Sequence, residues 1–194
     1  MNAFYINLDS RTDRREQFEE ECRKMNLSVE RFTAVARNPG GLGCSYSHYN
    51  VLKLAKERGY PYVIIFEDDF HFLVSREEFD LVMSSLPEDF DVVMLSYNLN
   101  KSEPYNDRFG RVLDVQTTSG YIVSSKFYDT LLSTWEIALA EYEKQPHCHW
   151  LYIVDQSWKQ LQPISRWYYS LLRIGKQRPG WSNISNAYTD YIEN

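Results

Sequence analysis

Glu67, Asp68 and Asp69 follow one another directly, with no cysteine or histidine pair beside them in the chain. Clustered carboxylate oxygens of this kind suit Mg2+ or Mn2+, which prefer oxygen ligands and share their coordination with substrate phosphates. A nucleotide diphosphate is then the natural ligand. The bland alternative is a solvated acid run, and composition alone would give about 0.5 three-acid windows among 194 residues with 27 acids. A second window, Glu19-Glu20-Glu21, does occur, inside a helical pattern where it reads as a solvated face. Placement decides between the two readings. The acids at 67–69 end the apolar run Tyr62-Val63-Ile64-Ile65-Phe66, which lacks polar alternation and suits a parallel strand covered on both faces. Open α/β sheets bind ligands outside the carboxyl ends of such strands, and a cation there would relieve the repulsion among the acids.

Two further constellations precede the acids. Asp9-Ser10-Arg11-Thr12-Asp13-Arg14-Arg15 follows a strand-like segment and opens a helical one, so backbone N–H groups and arginine forks could hold phosphate or the polar edge of a base. Ser10 with Asp13 reads equally well as a capping pair. Gly40-Gly41-Leu42-Gly43-Cys44-Ser45-Tyr46-Ser47-His48 is a glycine-rich loop leading into a helix, and it is neither a Walker A loop nor a GxGxxG fingerprint. It permits close approach of backbone to a ligand, or simply a tight turn. His48 alone reads as a structural histidine.

The elements that must position these groups alternate between strand and helix. Residues 4–8 read as a strand and residues 14–25 as a helix, with Phe18, Cys22 and Met25 at i, i+4 and i+7. A short strand is expected over 28–35, a breaker at Asn38-Pro39-Gly40-Gly41, and a helix over 45–58 capped by Gly59. After the strand bearing the acids come a helix over 76–86 ended by Pro87 and a buried strand over 92–97. Residues 98–111 are polar and rich in turn formers, so an exposed loop is expected beside the acids. Short strands over 112–115 and 120–124, helices over 126–142 and 154–161, and an aperiodic tail beyond Gly175 complete the pattern. It implies an α/β fold with a largely parallel, Rossmann-like sheet flanked by helices.

With 43% hydrophobic and 15% aromatic residues the chain is expected to form one domain over 1–194 with a real core. A net charge of −6 argues against nucleic acid as a partner. No run approaches a membrane span and Met1-Asn2-Ala3 leads straight into a strand-like segment, so the expected compartment is the cytoplasm. Cys22, Cys44 and Cys148 are widely spaced and odd in number, which favours reduced core thiols over a zinc ribbon or disulfides. The acceptor patterns Asn26-Leu27-Ser28, Asn100-Lys101-Ser102 and Asn183-Ile184-Ser185 are taken as chance matches.

Four pieces in order resemble glycosyltransferase family 25, which includes lipopolysaccharide glycosyltransferases and collagen hydroxylysine galactosyltransferases. They are Ile6-Asn7-Leu8 with Arg11, Asp13, Arg14 and Arg15; Gly43-Cys44 with Ser47-His48; Glu67-Asp68-Asp69; and Thr118-Ser119-Gly120-Tyr121-Ile122-Val123-Ser124, a span of about residues 4–160. The resemblance implies a GT-A fold, a nucleotide-sugar donor with UDP as the expected nucleotide, and an acidic motif equivalent to Asp-x-Asp that holds the donor pyrophosphate through Mn2+ or Mg2+. By that carry-over Asp69 is the first metal ligand, with Glu67 on the metal or nearer the ribose, and Asp68 pointing either way. Ile6, Asn7, Leu8, Arg11, Arg14, Ser47, His48 and Gly120 are the remaining donor-side candidates. Arg14 and Arg15 are neighbours on a helix, so only one can point inward. Residues 1–97 would bind the nucleotide, and 98–194 the acceptor, a hydroxyl of a glycan, lipopolysaccharide or protein.

Family members are regarded as inverting, so a carboxylate must take the acceptor proton. Asp155 is the candidate base, with a helix cap as its structural alternative. His147-Cys148-His149-Trp150 fits an interface or acceptor pocket better than zinc, because no second ligand pair matches it. Trp158, Trp167, Tyr168 and Tyr169 are expected in the core, and Trp181 in the polar tail is the best aromatic candidate for sugar contact. Two rivals stand beside the transferase: a degenerate relative that binds without turnover, and a metal-dependent phosphohydrolase.

Overall fold

The computed structural model describes residues 1–182 and 187–190. The Asn183-Ile184-Ser185 pattern lies outside them. In chain order the elements are β1 (Ala3–Asn7), α1 (Thr12–Lys24), β2 (Glu30–Thr33), α2 (Gly40–Glu57), β3 (Tyr62–Glu67), β4 (Phe70–Phe72), α3 (Arg76–Ser84) and β5 (Val92–Met94). Then come β6 (Asn98–Pro104), β7 (Phe109–Gln116), β8 (Gly120–Ser124), α4 (Tyr128–Lys144), α5 (His149–Tyr152) and α6 (Val154–Ser157). β9 (Trp167–Ser170), β10 (Gly175–Gln177), β11 (Gly180–Ser182) and β12 (Ala187–Thr189) follow.

Eight strands form the central sheet in the order β2-β1-β3-β8-β5-β9-β7-β6. β1 runs parallel to β2 and β3, and β5 parallel to β9, while β8 and β7 run against their neighbours. Six of the eight strands therefore point the same way. The apolar runs earn this arrangement by burying both faces. Phe4, Ile6, Val63 and Ile65 join Val51, Leu52, Leu131, Trp135, Val154 and Trp158 beneath α2, α4 and α6. Their alternating neighbours Tyr5, Ile64 and Phe66 pack with Phe18, Phe79 and Val82 beneath α1 and α3. Fully burying one such side chain contributes about 1.5–3 kcal/mol.

Several expectations are corrected. Residues 98–111 hold strand β6 and the start of β7, an antiparallel hairpin at the sheet edge, rather than a loop. β9, absent from the sequence reading, joins β5 to that hairpin. α2 begins at Gly40, so the glycines form its first turns instead of a breaker before it. Gly43 is required there, because a Cβ would stand 2.4 Å from the Val35 carbonyl oxygen. α1 has no side-chain cap, and Asp13 pairs with Arg11 rather than capping with Ser10. The helix expected over 154–161 is α6 followed by a 3-10 turn at Lys159–Ile164. His147-Cys148-His149-Trp150 runs into α5, which starts at His149. Among the described residues the tail holds strands, β10 against β4 and β11 against β12.

Candidate active site

β3 ends on Glu67 and β4 begins at Phe70, so Asp68 and Asp69 occupy the turn between two strands. That turn is tightly held. Asn7 Nδ2 donates to Asp68 Oδ2 at 2.7 Å, and Arg14 Nη1 lies 3.0 Å from both Asp68 Oδ1 and Asp69 Oδ2. Glu67 Oε1 accepts from the Thr118 hydroxyl at 2.5 Å. The Arg178 N–H donates to the Asp69 carbonyl at 2.7 Å, which ties the tail to the acids.

One guanidinium thus faces three carboxylates, and their affinities for protons separate accordingly. Burial, then the charge of Glu67, pushes Asp69 up to about 7. Burial also raises Asp68. At Glu67 burial pushes upward as well, but His48, Thr118 and Arg14 outweigh it and hold the group below its usual range. Burial works against the Arg14 charge, yet Asp69 and Asp68 raise its pKa, so it stays cationic.

Two clefts meet at this tip. The first, of about 390 Å³, is lined by Ile6, Leu8, Ser10, Arg11, Arg14, the backbone stretch 34–38, Ser47, His48 and all three acids. The second, of about 350 Å³, is lined by Asn98, Gln116, Thr117, Thr118, Val154 and Asp155 among others. Cys44, Glu67, Gln177 and Ser182 line both.

The structure therefore gathers Ile6, Leu8, Arg11, Arg14, Ser47, His48, Glu67, Asp68 and Asp69 around one opening. Of the two neighbouring arginines Arg14 points inward, while Arg15 pairs with Glu19 on the surface. Asn7 is fully buried behind the acids, and its amide orients Asp68 and accepts from Arg31 at 3.0 Å. Gly120 also stands outside the cleft lining, packed so closely on Phe70 that a Cβ would meet the ring at 2.4 Å. Ser47 Oγ accepts from the Val35 N–H at 2.8 Å and donates to the Gly43 carbonyl at 2.7 Å, fixing the loop that walls the cleft.

Asp155 lies in α6, whose N-cap is Ile153, so it is not the cap. Its Oδ2 accepts from the Thr117 N–H at 3.2 Å, and burial raises its pKa. Thr117 adopts φ 84°, an uncommon conformation for a β-branched residue, on the wall of the second cleft. Trp158 and Trp167 are buried and Tyr168 nearly so, while Trp181 is 51% exposed on β11. The Trp181 carbonyl accepts from Arg11 at 3.2 Å and from Arg14 at 2.9 Å, which brings that strand to the first cleft.

Sequence reasoning missed three features. Gln177 lines both clefts from the aperiodic tail, where no pattern marks it. Thr117 precedes the quoted Thr118 motif by one residue. Cys44, expected as a core thiol, is half-buried on both clefts, and its Sγ, a His48 ring nitrogen and a Glu67 oxygen lie within 4.8 Å of one another. Cys22 is buried as expected. The acids do have cysteine and histidine neighbours, but from a helix some 20 residues earlier in the chain.

Asp69 Oδ1 is buried with no hydrogen-bond partner, and Glu67 and Asp68 bring further carboxylate charge to bear on it. Those are the properties that a hard cation such as Mn2+ or Mg2+ requires. Among the described residues, no helix is long and apolar enough to cross a membrane.

The fold has solved counterparts. A glycosyltransferase involved in glycosylation of the major capsid of PBCV-1 superposes with a TM-score of 0.60 at 10% identity, over 95% of each chain. The A197 protein from STIV follows at 0.50 and 14% identity, over 100% of this chain and 99% of that one. The fold is accordingly of GT-A type. A Haemophilus influenzae protein provisionally named a glycosyltransferase is 32% identical over 80 residues, spanning 41% of this chain and 28% of that protein. The profile of glycosyltransferase family 25 (LPS biosynthesis protein) matches residues 38–142, more than half of the sequence and inclusive of the glycine-rich helix start, the acids and the strand after Thr118. The chain belongs to glycosyltransferase family 25.

Proposed function

We propose that this protein transfers a sugar from a UDP-sugar to a hydroxyl acceptor with inversion, using Mn2+ or Mg2+. The observation that carries the reading is the position of Glu67, at the junction of a cleft lined by arginines and acids and a cleft holding the half-buried carboxylate of Asp155. In it, residues 1–97 bind the nucleotide, with help from the tail, and residues 98–194 build the acceptor side. Asp69 and Glu67 would hold the ion, which when bound offsets the charge growing on the departing diphosphate. Arg11 and Arg14 supply further positive charge to that phosphate side. His48, Ser47, Ile6 and Leu8 shape the donor wall, with Asn7 and Gly120 acting behind it to fix Asp68 and Phe70.

Asp155 receives the acceptor proton. Burial raises its proton affinity, and the Thr117 N–H orients one carboxylate oxygen while leaving the other for the hydroxyl. A glycan, a lipopolysaccharide or a protein side chain would each offer that hydroxyl, and the exposed Trp181 ring would stack on a sugar.

The Arg14 bridge between Asp68 and Asp69 favours a second reading, in which the arginine replaces the ion and the protein binds a nucleotide sugar without turnover. Incubation with Mn2+ and a panel of nucleotide sugars separates them. Mn2+-dependent release of UDP, accelerated by an acceptor, supports transfer. Binding without release supports the second reading, and cleavage of simple phosphate esters would instead point to a hydrolase.

A further inference from the structure

We propose that Cys44, His48 and Glu67 form a binding site for a thiophilic divalent cation of the Zn2+ class, which shares Glu67 with the oxygen grip at Asp69 but adds sulfur and nitrogen donors that Asp69 lacks. The inference goes beyond the donor reading and does not require it. Cys44 and His48 are four residues apart on α2, so they share one face of the helix, the spacing by which helices present two ligands to zinc. That face meets the carboxyl end of β3, where Glu67 supplies the third donor.

Three features separate this cluster from a chance meeting of polar side chains. His48 is completely buried, and its Nε2 has no hydrogen-bond partner. The atom lies 3.3 Å from Glu67 Oε1, within reach of the carboxylate charge but without a hydrogen bond to it. Nitrogen and oxygen ligands of one tetrahedral zinc ion stand roughly 3.4 Å apart, so this pair already has the required separation. Second, His48 Nδ1 lies 2.8 Å from the Tyr121 hydroxyl, the outer hydrogen bond that fixes ring orientation in metal-ligating histidines. Third, Cys44 and Glu67 line both clefts, which gives an ion an entry path and leaves its fourth position open to water or substrate.

The donor set decides the ion. A thiolate and an imidazole select zinc, cobalt or cadmium over magnesium, whereas the Asp69 side offers carboxylate oxygen alone. Binding converts the thiol to thiolate, and its proton leaves to solvent.

Titration of the metal-stripped full chain with Co2+ tests the site without any assay of transfer. The expected result is a sulfur-to-cobalt charge-transfer band in the near ultraviolet, with the intense visible bands of four-coordinate cobalt. Cys44→Ser should remove the charge-transfer band, while Cys148→Ser and Asp69→Asn should keep it. X-ray absorption on the zinc-loaded native protein, which needs no variant to fold, should place one sulfur at about 2.3 Å from the metal. Weak six-coordinate cobalt absorption alone, a band that survives Cys44→Ser or vanishes in Cys148→Ser, or zinc surrounded only by oxygen and nitrogen would overturn the proposal.

Discussion

The two clefts that meet at Glu67 are built on different plans. The first takes its side chains from the ends of β1 and β3 and the openings of α1 and α2, and it is dense with charge already engaged in ion pairs. The second is walled by the turn between β7 and β8, by the short α6 and by the tail, and it presents the half-buried acid Asp155 beside the shared Glu67. A rigid, charge-rich wall suits a ligand of fixed chemistry such as a diphosphate, while a wall of loop and tail leaves room for acceptors of varied shape. If the contrast is real, changes on one side should alter donor binding and changes on the other should alter transfer alone.

The largest effect is expected at Asp69. Asp69→Asn should weaken Mn2+-dependent UDP binding by more than about 10²-fold, since even outer partners of metal ligands cost about 10–100-fold. Calorimetric titration with UDP and Mn2+ measures it, with circular dichroism to check the fold. Unchanged heats would remove Asp69 from the donor side. Asp155→Asn should lower the transfer rate by about 10²–10⁴ and leave UDP affinity as it was. Normal turnover in that variant would mean that the second cleft holds a different base.

A smaller, graded effect follows from the proton affinity of Asp69. With its pKa near 7 in the folded chain, donor binding through a cation should weaken about tenfold for each pH unit below 7 and level off above it. Stability of the metal-free protein runs the other way. A carboxyl raised above its ordinary value contributes most below about pH 4 and loses that contribution as pH rises towards 7. Thermal melts of the native chain against Asp69→Asn, without metal, should therefore shift in favour of the variant from pH 4 to pH 7. A difference independent of pH would show that Arg14 already neutralises the site.

How much of this was legible in the sequence follows the same division. β1, β3, α1 and the acids declared themselves through unbroken apolar runs and helical spacing, because both faces of those strands are covered. β6 did not. Its residues Asn98-Leu99-Asn100-Lys101-Ser102-Glu103-Pro104 form an exposed edge strand, which needs only backbone pairing on one side and so carries no apolar alternation. β9 carries a readable signal, since Trp167-Tyr168-Tyr169 is rich in strand-favouring aromatics, but such aromatics suit a core of any secondary structure equally well. The approach of Cys44 and His48 to Glu67 depends on how α2 packs against β3, and no local pattern encodes that distance.

The smallest predicted effect is the most direct probe of the acceptor side. Trp181 is half-exposed on a short strand, and its backbone carbonyl, rather than its ring, bonds to Arg11 and Arg14. Trp181→Ala keeps that carbonyl, so the bridge to the donor cleft should survive while the ring is lost. An aromatic contact is worth about 0.5–1.5 kcal/mol, which corresponds to roughly a twofold to twelvefold rise in acceptor KM. Steady-state kinetics with acceptor varied at saturating donor measures it. A rise confined to donor KM would place the ring on the nucleotide instead, and would move the boundary between the clefts to the far side of β11.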